Sequence, residues 1–254
     1  MRIERKVGAT VAVLGSLLLA VSGTVPAFAH TGPSAGPLHV SDAQIARVAN
    51  STNTGLAGWV FGAKAAKSVT AEFKIPALKC TAATSGVAPG SVLATGSTSA
   101  PKVSAATVLL ACSGGAPLAI PAVIVDNAET NGTQTVHTGD LMKATVTTTA
   151  TKTTATLADV TKGHTFTLTK SGKGGTSFEE LLVDTKLQMG TTVLPVANFG
   201  TISYSNGAVS GKALGSVKPR MAVNMVNKRK VLQILTGPLT GTKMNAFKTT
   251  WKHS

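Results

Sequence analysis

The chain has 254 residues and a formal charge of +14, with 43% hydrophobic and only 13% charged residues. That balance excludes an intrinsically disordered chain. With two Trp, one Tyr and no Arg-rich or aromatic-interleaved run, the basic charge does not assemble a nucleic-acid-binding surface.

Arg2, Glu4, Arg5 and Lys6 open the chain, an apolar run follows from Val11 to Val21, and Ala27-Phe28-Ala29 supplies a small-x-small cleavage pattern. The apolar run is too short to span a bilayer comfortably. Residues 1–29 therefore read as a signal peptide cleaved after Ala29, and the protein as secreted, extracellular and free of transmembrane segments. Removing Arg2, Arg5, Lys6 and Glu4 with the leader leaves a charge of +12. Lys carries most of it, scattered along the chain. Such a charge keeps an exported protein soluble, or draws it by long-range attraction to an anionic cell-envelope polymer.

Residues 30–50 form a lead-in. His30 to Pro37 is rich in Gly, Pro and Ser, and Ser41-Asp42 caps a short helix through Asn50. Residues 51–254 then read as one β-domain. Ser68 to Pro76 alternates, with Val69, Ala71, Phe73 and Ile75 on one face, and Pro76 stops the strand. Ala116 to Val125 is the most apolar stretch, about ten residues long, and with Pro117 and Pro121 it fits a buried strand rather than a membrane helix.

Leu141 to Val160 predicts a Thr-rich hairpin turning near Ala150–Lys152, and Lys162-Gly163 turns the chain into a strand from His164 to Lys170. Gly172 to Gly175 is a loop without the strand–loop–helix context of a phosphate cradle. Phe178 to Leu187, Leu194 to Tyr204, Met221 to Leu235 and Phe247 to Trp251 supply further strands. Many short strands without a fixed repeat predict an all-β fold: an antiparallel β-sandwich of two packed, curved sheets, jelly-roll-like.

Two cysteines in an oxidising compartment predict a Cys80–Cys112 disulfide, worth about 3 kcal/mol for a loop of about thirty residues. Neither has a His at ligand spacing, so no metal site and no cofactor are expected. His137, His164 and His253 lie at turns or the terminus, with no Ser or Cys in a nucleophile motif.

The order of several segments resembles the eqolisins, or glutamic peptidases of the scytalidopepsin type. Ala57-Gly58-Trp59 is similar to that family's Asn-Trp-Ala-Gly opening, with the Trp displaced. Ser68 to Pro76 is similar to its Ser-Val-Ser-Ala-x-Phe-x-Val-Pro strand. Thr138-Gly139-Asp140, Asn198-Phe199-Gly200-Thr201-Ile202, Val223-Asn224-Met225-Val226 and Phe247-x-x-x-Trp251 resemble later segments. The resemblance spans about residues 52–252 and implies a two-sheet sandwich whose concave sheet carries a Glu/Gln pair. There the Glu is general base toward a water, and the Gln amide stabilises the oxyanion.

Glu179-Glu180-Leu181-Leu182-Val183-Asp184 stands where the family reads Ala-Glu-Trp-Ile-Val-Glu. The resemblance carries the general-base role to Glu180. Alternation groups Glu180 with Leu182 and Asp184 on one face, as cleft-lining binding residues. The family's Leu-Gln-Thr-Gly segment falls in Thr107 to Gly114, where Ala111 replaces the Gln.

Two functions follow. In one, the protein is a catalytically impaired, monomeric eqolisin-like sandwich that binds a polypeptide or an anionic cell-envelope polymer in the cleft. In the other, it is a divergent glutamic endopeptidase active at acid pH with Glu180 as base and another donor in place of the Gln.

Overall fold

The computed structural model describes residues 51–62, 67–81, 83–95, 102–172, 177–189 and 192–253. The expected signal peptide (1–29), the expected 30–50 lead-in and most of the Gly172–Gly175 loop lie outside them. Eighteen strands follow in chain order. They are β1 (Ser51–Asn53), β2 (Leu56–Phe61), β3 (Ser68–Lys74), β4 (Ser85–Thr95), β5 (Lys102–Ser113), β6 (Ala116–Val125), β7 (Ala128–Asn131), β8 (Leu141–Thr148) and β9 (Lys152–Asp159). Then come β10 (His164–Ser171), β11 (Ser177–Lys186), β12 (Gln188–Met189), β13 (Thr192–Val193), β14 (Thr201–Val209), β15 (Lys212–Ala213), β16 (Arg220–Val226), β17 (Leu232–Thr236) and β18 (Phe247–Trp251).

One ladder runs β10-β9-β8-β3-β14-β18-β17-β16-β2-β11-β4-β5-β6-β7, antiparallel throughout, with β1 added in parallel to β16. It folds over on itself into two leaves. β3 packs on β4 and β11, β8 on β4 and β5, and β9 on β5 and β6. The chain is an all-β sandwich. Among the described residues, no helix is long and apolar enough to cross a membrane.

The predicted alternation sets the first leaf. Val69, Ala71 and Phe73 of β3 are buried, and so are Met142, Ala144 and Val146 of β8 and Ala155 and Leu157 of β9. Their neighbours in sequence are partly exposed polar residues, so this leaf has one dry and one wet face. The second leaf contributes Trp59, Phe61, Leu93, Val108, Leu110 and Leu182 to the same core. Ser91 Oγ of β4 crosses the core to donate to the Ala144 carbonyl at 3.0 Å.

Two predicted strands are cut differently by local chemistry. Residues 194–200 stay irregular, because Pro195 lacks a donor, Asn198 Oδ1 accepts the Gly200 amide at 3.2 Å, and Gly200 takes φ 64°. The strand therefore starts at Thr201. Met221 to Leu235 is two strands, not one, because Asn227 Oδ1 accepts from the amides of Arg229 and Val231 and turns the chain. The Cys80–Cys112 disulfide forms, with Cα atoms 5.3 Å apart.

Candidate functional site

Strand β11 lies between β2 and β4, and Glu180 pairs with Phe61 on one side and Leu93 on the other. Both partners belong to the core between the leaves. The side chain of Glu180 itself lies outside the described residues. Phe61 also pairs with Arg220 of β16, so Glu180, Phe61 and Arg220 form one cross-strand row.

The adjacent row turns to the other face of the same leaf. It runs Met221, Val60, Leu181, Val92, Ala105, Ile124 and Glu129 across β16, β2, β11, β4, β5, β6 and β7. These residues down to Ile124, with Leu56, Ala94, Val103, Val183 and Val223, make a second apolar cluster separate from the inter-leaf core. Side chains along a strand alternate between faces, so this is the leaf's outer face.

Ala111 belongs to that outer side. It is fully buried with Ala88, Leu109, Ala122, Leu187 and Leu194, and Leu118 and Ile120 pack against them. The resemblance pairs an acid at 180 with position 111, and the strand register bears on that pairing. The two positions sit in rows of opposite parity, and a one-residue offset reverses the face.

The two residues expected to line a cleft are placed otherwise. Leu182 and Asp184 are both 0% exposed. Leu182 packs in the inter-leaf core, and Asp184 is sealed there as a structural acid. Tyr204 Oη lies 2.7 Å from Asp184 Oδ1 and 3.1 Å from the Val183 carbonyl, so its one proton is shared between two acceptors. Burial pushes the Asp184 carboxyl up to about 6, opposed by the Thr249 and Tyr204 hydroxyls. Thr249 Oγ1 and Asp184 Oδ2 do not reach hydrogen-bond geometry with any partner, so Tyr204 is the firmer of the two supports. Burial, and then the charge of Asp184, push the Tyr204 phenol well above its ordinary value. The Tyr204 ring stacks on Phe247 with centroids 4.5 Å apart.

Glu129 went unnoticed in the sequence. It closes the outer row on β7, and desolvation raises its carboxyl to about 7. The signal for its strand was Asp126-Asn127, a dipeptide suited to a tight hairpin turn, and both residues take positive φ (50° and 64°) after the apolar run of β6.

A second polar cluster fastens the turn before β8. Lys162 Nζ donates to Asp140 Oδ2 at 2.6 Å and to the Thr135 carbonyl at 3.0 Å, and lies 2.7 Å from His137 Nδ1. Burial works to raise the Asp140 carboxyl, but the Lys162 and His137 hydrogen bonds and their charges hold it below the usual range. Its Oδ2 accepts from both Lys162 Nζ and the His137 amide. Among the described residues, no three His, Cys, Asp or Glu gather to hold a metal ion.

The sequence model of the Peptidase A4 family matches residues 54–245. Among solved structures, the fold is similar to scytalido-glutamic peptidase bound to a peptide-based transition-state analogue, with TM-score 0.60 and 13% identity over 78% of this chain and 98% of that one. It is similar to SCP-B, an eqolisin in complex with the tripeptide Ala-Ile-His, with TM-score 0.57 and 13% identity over 78% and 98%. It is also similar to aspergilloglutamic peptidase from Aspergillus niger, with TM-score 0.51 and 17% identity over 65% and 99%. These likenesses establish the fold. Among curated proteins, none matches the sequence.

Proposed function

The chain belongs to the Peptidase A4 family, the eqolisins, and from that premise we propose that it is a secreted, catalytically impaired member that binds polypeptide without cleaving it. What supports this reading is Ala111, which the sequence resemblance matches to the family's oxyanion-stabilising amide: it is fully buried among aliphatic side chains, in a row of opposite parity to that of position 180, and supplies no donor. A methyl group donates no hydrogen bond. Losing one such donor costs about 10²–10³ in rate.

The nearby hydroxyls do not take its place. Thr107 Oγ1, on the same strand, donates at 2.8 Å to the Pro89 carbonyl. Thr185 Oγ1, on β11, donates at 3.4 Å to the Ala88 carbonyl. Each donor is turned back into its own sheet, where it satisfies a neighbouring strand rather than a developing charge.

The polypeptide partner is proposed from the family, since solved members carry a tripeptide or a peptide-based analogue. The disulfide supports an oxidising, extracellular address. A sequence pI near 10.1 supports a loose association of the monomer with anionic cell-envelope polymer.

Purified protein incubated with denatured casein between about pH 2 and 7, beside Glu180→Gln and Glu179→Gln, is expected to leave the substrate intact. Cleavage that disappears in Glu180→Gln defeats the proposal and establishes a divergent glutamic endopeptidase with that residue as base. Cleavage that disappears only in Glu179→Gln also defeats it, and makes Glu179 the base.

A further inference from the structure

Along the paired strands β2, β16 and β17 and the segment that follows β17, Trp59, Arg220, Ala222, Thr236, Gly237, Pro238, Leu239 and Met244 line a pocket of about 320 Å³. That lies at the small end of the roughly 300–1,000 Å³ range of small-molecule sites. Its walls are built rather than incidental. Trp59 Nε1 donates to the Gly237 carbonyl at 3.1 Å, which fixes the indole. The short 3-10 turn Leu214–Ser216 is clamped to the Met244 segment by the Gly215 amide on the Met244 carbonyl at 3.0 Å. A Cβ on Gly215 would come within 2.6 Å of Met244 Cβ, so the approach requires glycine. Met244 and Pro238, both exposed, form the mouth.

Arg220 is held in place by its backbone acceptors. One terminal nitrogen, Nη1, donates to the carbonyls of Gly215 at 2.8 Å and Val217 at 3.0 Å. Its remaining N–H groups find no partner among the described residues, and it stands in no ion pair there. A guanidinium presents five donors in a fixed fork that matches a carboxylate, and Nη1 anchored to two carbonyls leaves the other nitrogens of this pocket-lining residue to donate to one.

The lining itself favours an anion, since Arg220 is its one charged residue and it holds no Asp or Glu. No Asp or Glu follows Asp184 in the chain, whereas ten Lys or Arg residues do, and every pocket-lining residue except Trp59 comes from that acid-free part. Apart from Thr236, whose hydroxyl donates to the Val223 carbonyl, the rest of the lining is apolar or aromatic. We propose that this pocket binds the carboxylate of a small acid bearing an apolar or aromatic group, with Arg220 holding the carboxylate and Trp59 and Leu239 the apolar part. A free peptide C-terminus with a hydrophobic last residue has this chemistry, as does a simple aryl-alkanoic acid. The inference is independent of whether the protein cleaves peptides.

The test is calorimetric titration of the full chain with N-acetyl-leucyl-phenylalanine, its C-terminal amide and 3-phenylpropionate, with the Trp59 indole N–H followed by NMR. The acid is expected to bind saturably and shift that resonance, with the amide at least about tenfold weaker and Arg220→Gln showing the same loss. Arg220→Lys, which keeps the charge but not the fork, is expected to fall between. If 3-phenylpropionate matches the dipeptide, the ligand is a simple acid. If the dipeptide is tighter, it is a peptide end. Equal binding of acid and amide overturns the proposal without any variant, and so does the absence of saturable binding.

Discussion

The two leaves of the sandwich solve the same problem differently. In β3, β8 and β9, buried residues alternate with partly or fully exposed ones, and the exposed face is mostly Thr and charged residues. In β2 and β4 nearly every residue is buried, and in β5 all but the ends are. The first leaf has one apolar face; the second has two, with aromatic side chains toward the core and aliphatic ones away from it. A strand buried on both faces loses the period-2 signal. It also loses tolerance, because every position then meets packed neighbours.

Glycine substitution gives the sharpest break between the leaves. Gly58 sits in β2 at φ 142°, and a Cβ there would overlap the Leu182 carbonyl. Gly58→Ala is expected to cost about 4 kcal/mol or more, since both strain and backbone overlap must be relieved. The urea midpoint of purified protein measures it, and an unchanged midpoint would mean the second leaf is not packed as described.

The buried acid that joins the leaves gives a pH-dependent effect of intermediate size. The Asp184 carboxyl is raised from 3.8 to about 6 in the folded state. Between these values the folded protein holds the proton more tightly than the unfolded chain. Its contribution is therefore fully present below about pH 4 and is lost as pH rises through 6, on the order of 3 kcal/mol. Glu129, raised to about 7 by desolvation, acts in the same direction at somewhat higher pH. Denaturation midpoints should thus fall between pH 4 and 7, and Asp184→Asn should flatten the lower part of that fall. A slope identical in the variant would remove Asp184 as its cause.

The smallest effect belongs to the wet face. Thr156 of β9 lies between Thr145 and Thr167 on neighbouring strands and is partly exposed. Thr156→Lys is expected to change stability by no more than about 0.5 kcal/mol in the same urea titration. A loss comparable to Gly58→Ala would show that the first leaf's outer face is also covered.

The same contrast explains what could be read in advance. The alternating strands at Ser68–Lys74, Leu141–Thr148 and Lys152–Asp159 stood out because one face of each meets water, and Phe247–Trp251 was placed within its observed bounds. The position of Glu180 in a strand was also legible. Which residues share its face with which others was not. That depends on pairing across β2, β11, β4 and β5, and Ala111 falls on the opposite face only because of that register. Asp184 read as a cleft acid for a similar reason: alternation assigns a face but not whether the face meets solvent or another sheet.

Local chemistry in the chain itself determined the β architecture, the disulfide partners and the turns, because period-2 patterning, Asn and Gly turn residues and a single cysteine pair act through near neighbours or leave no alternative. Tertiary structure alone decided that Asp184 is locked to Tyr204, that positions 111 and 180 face apart, and that Arg220 and Trp59 meet at one pocket. These relations join residues far apart in sequence, and strand register and sheet stacking, which set them, are properties of the whole packed core.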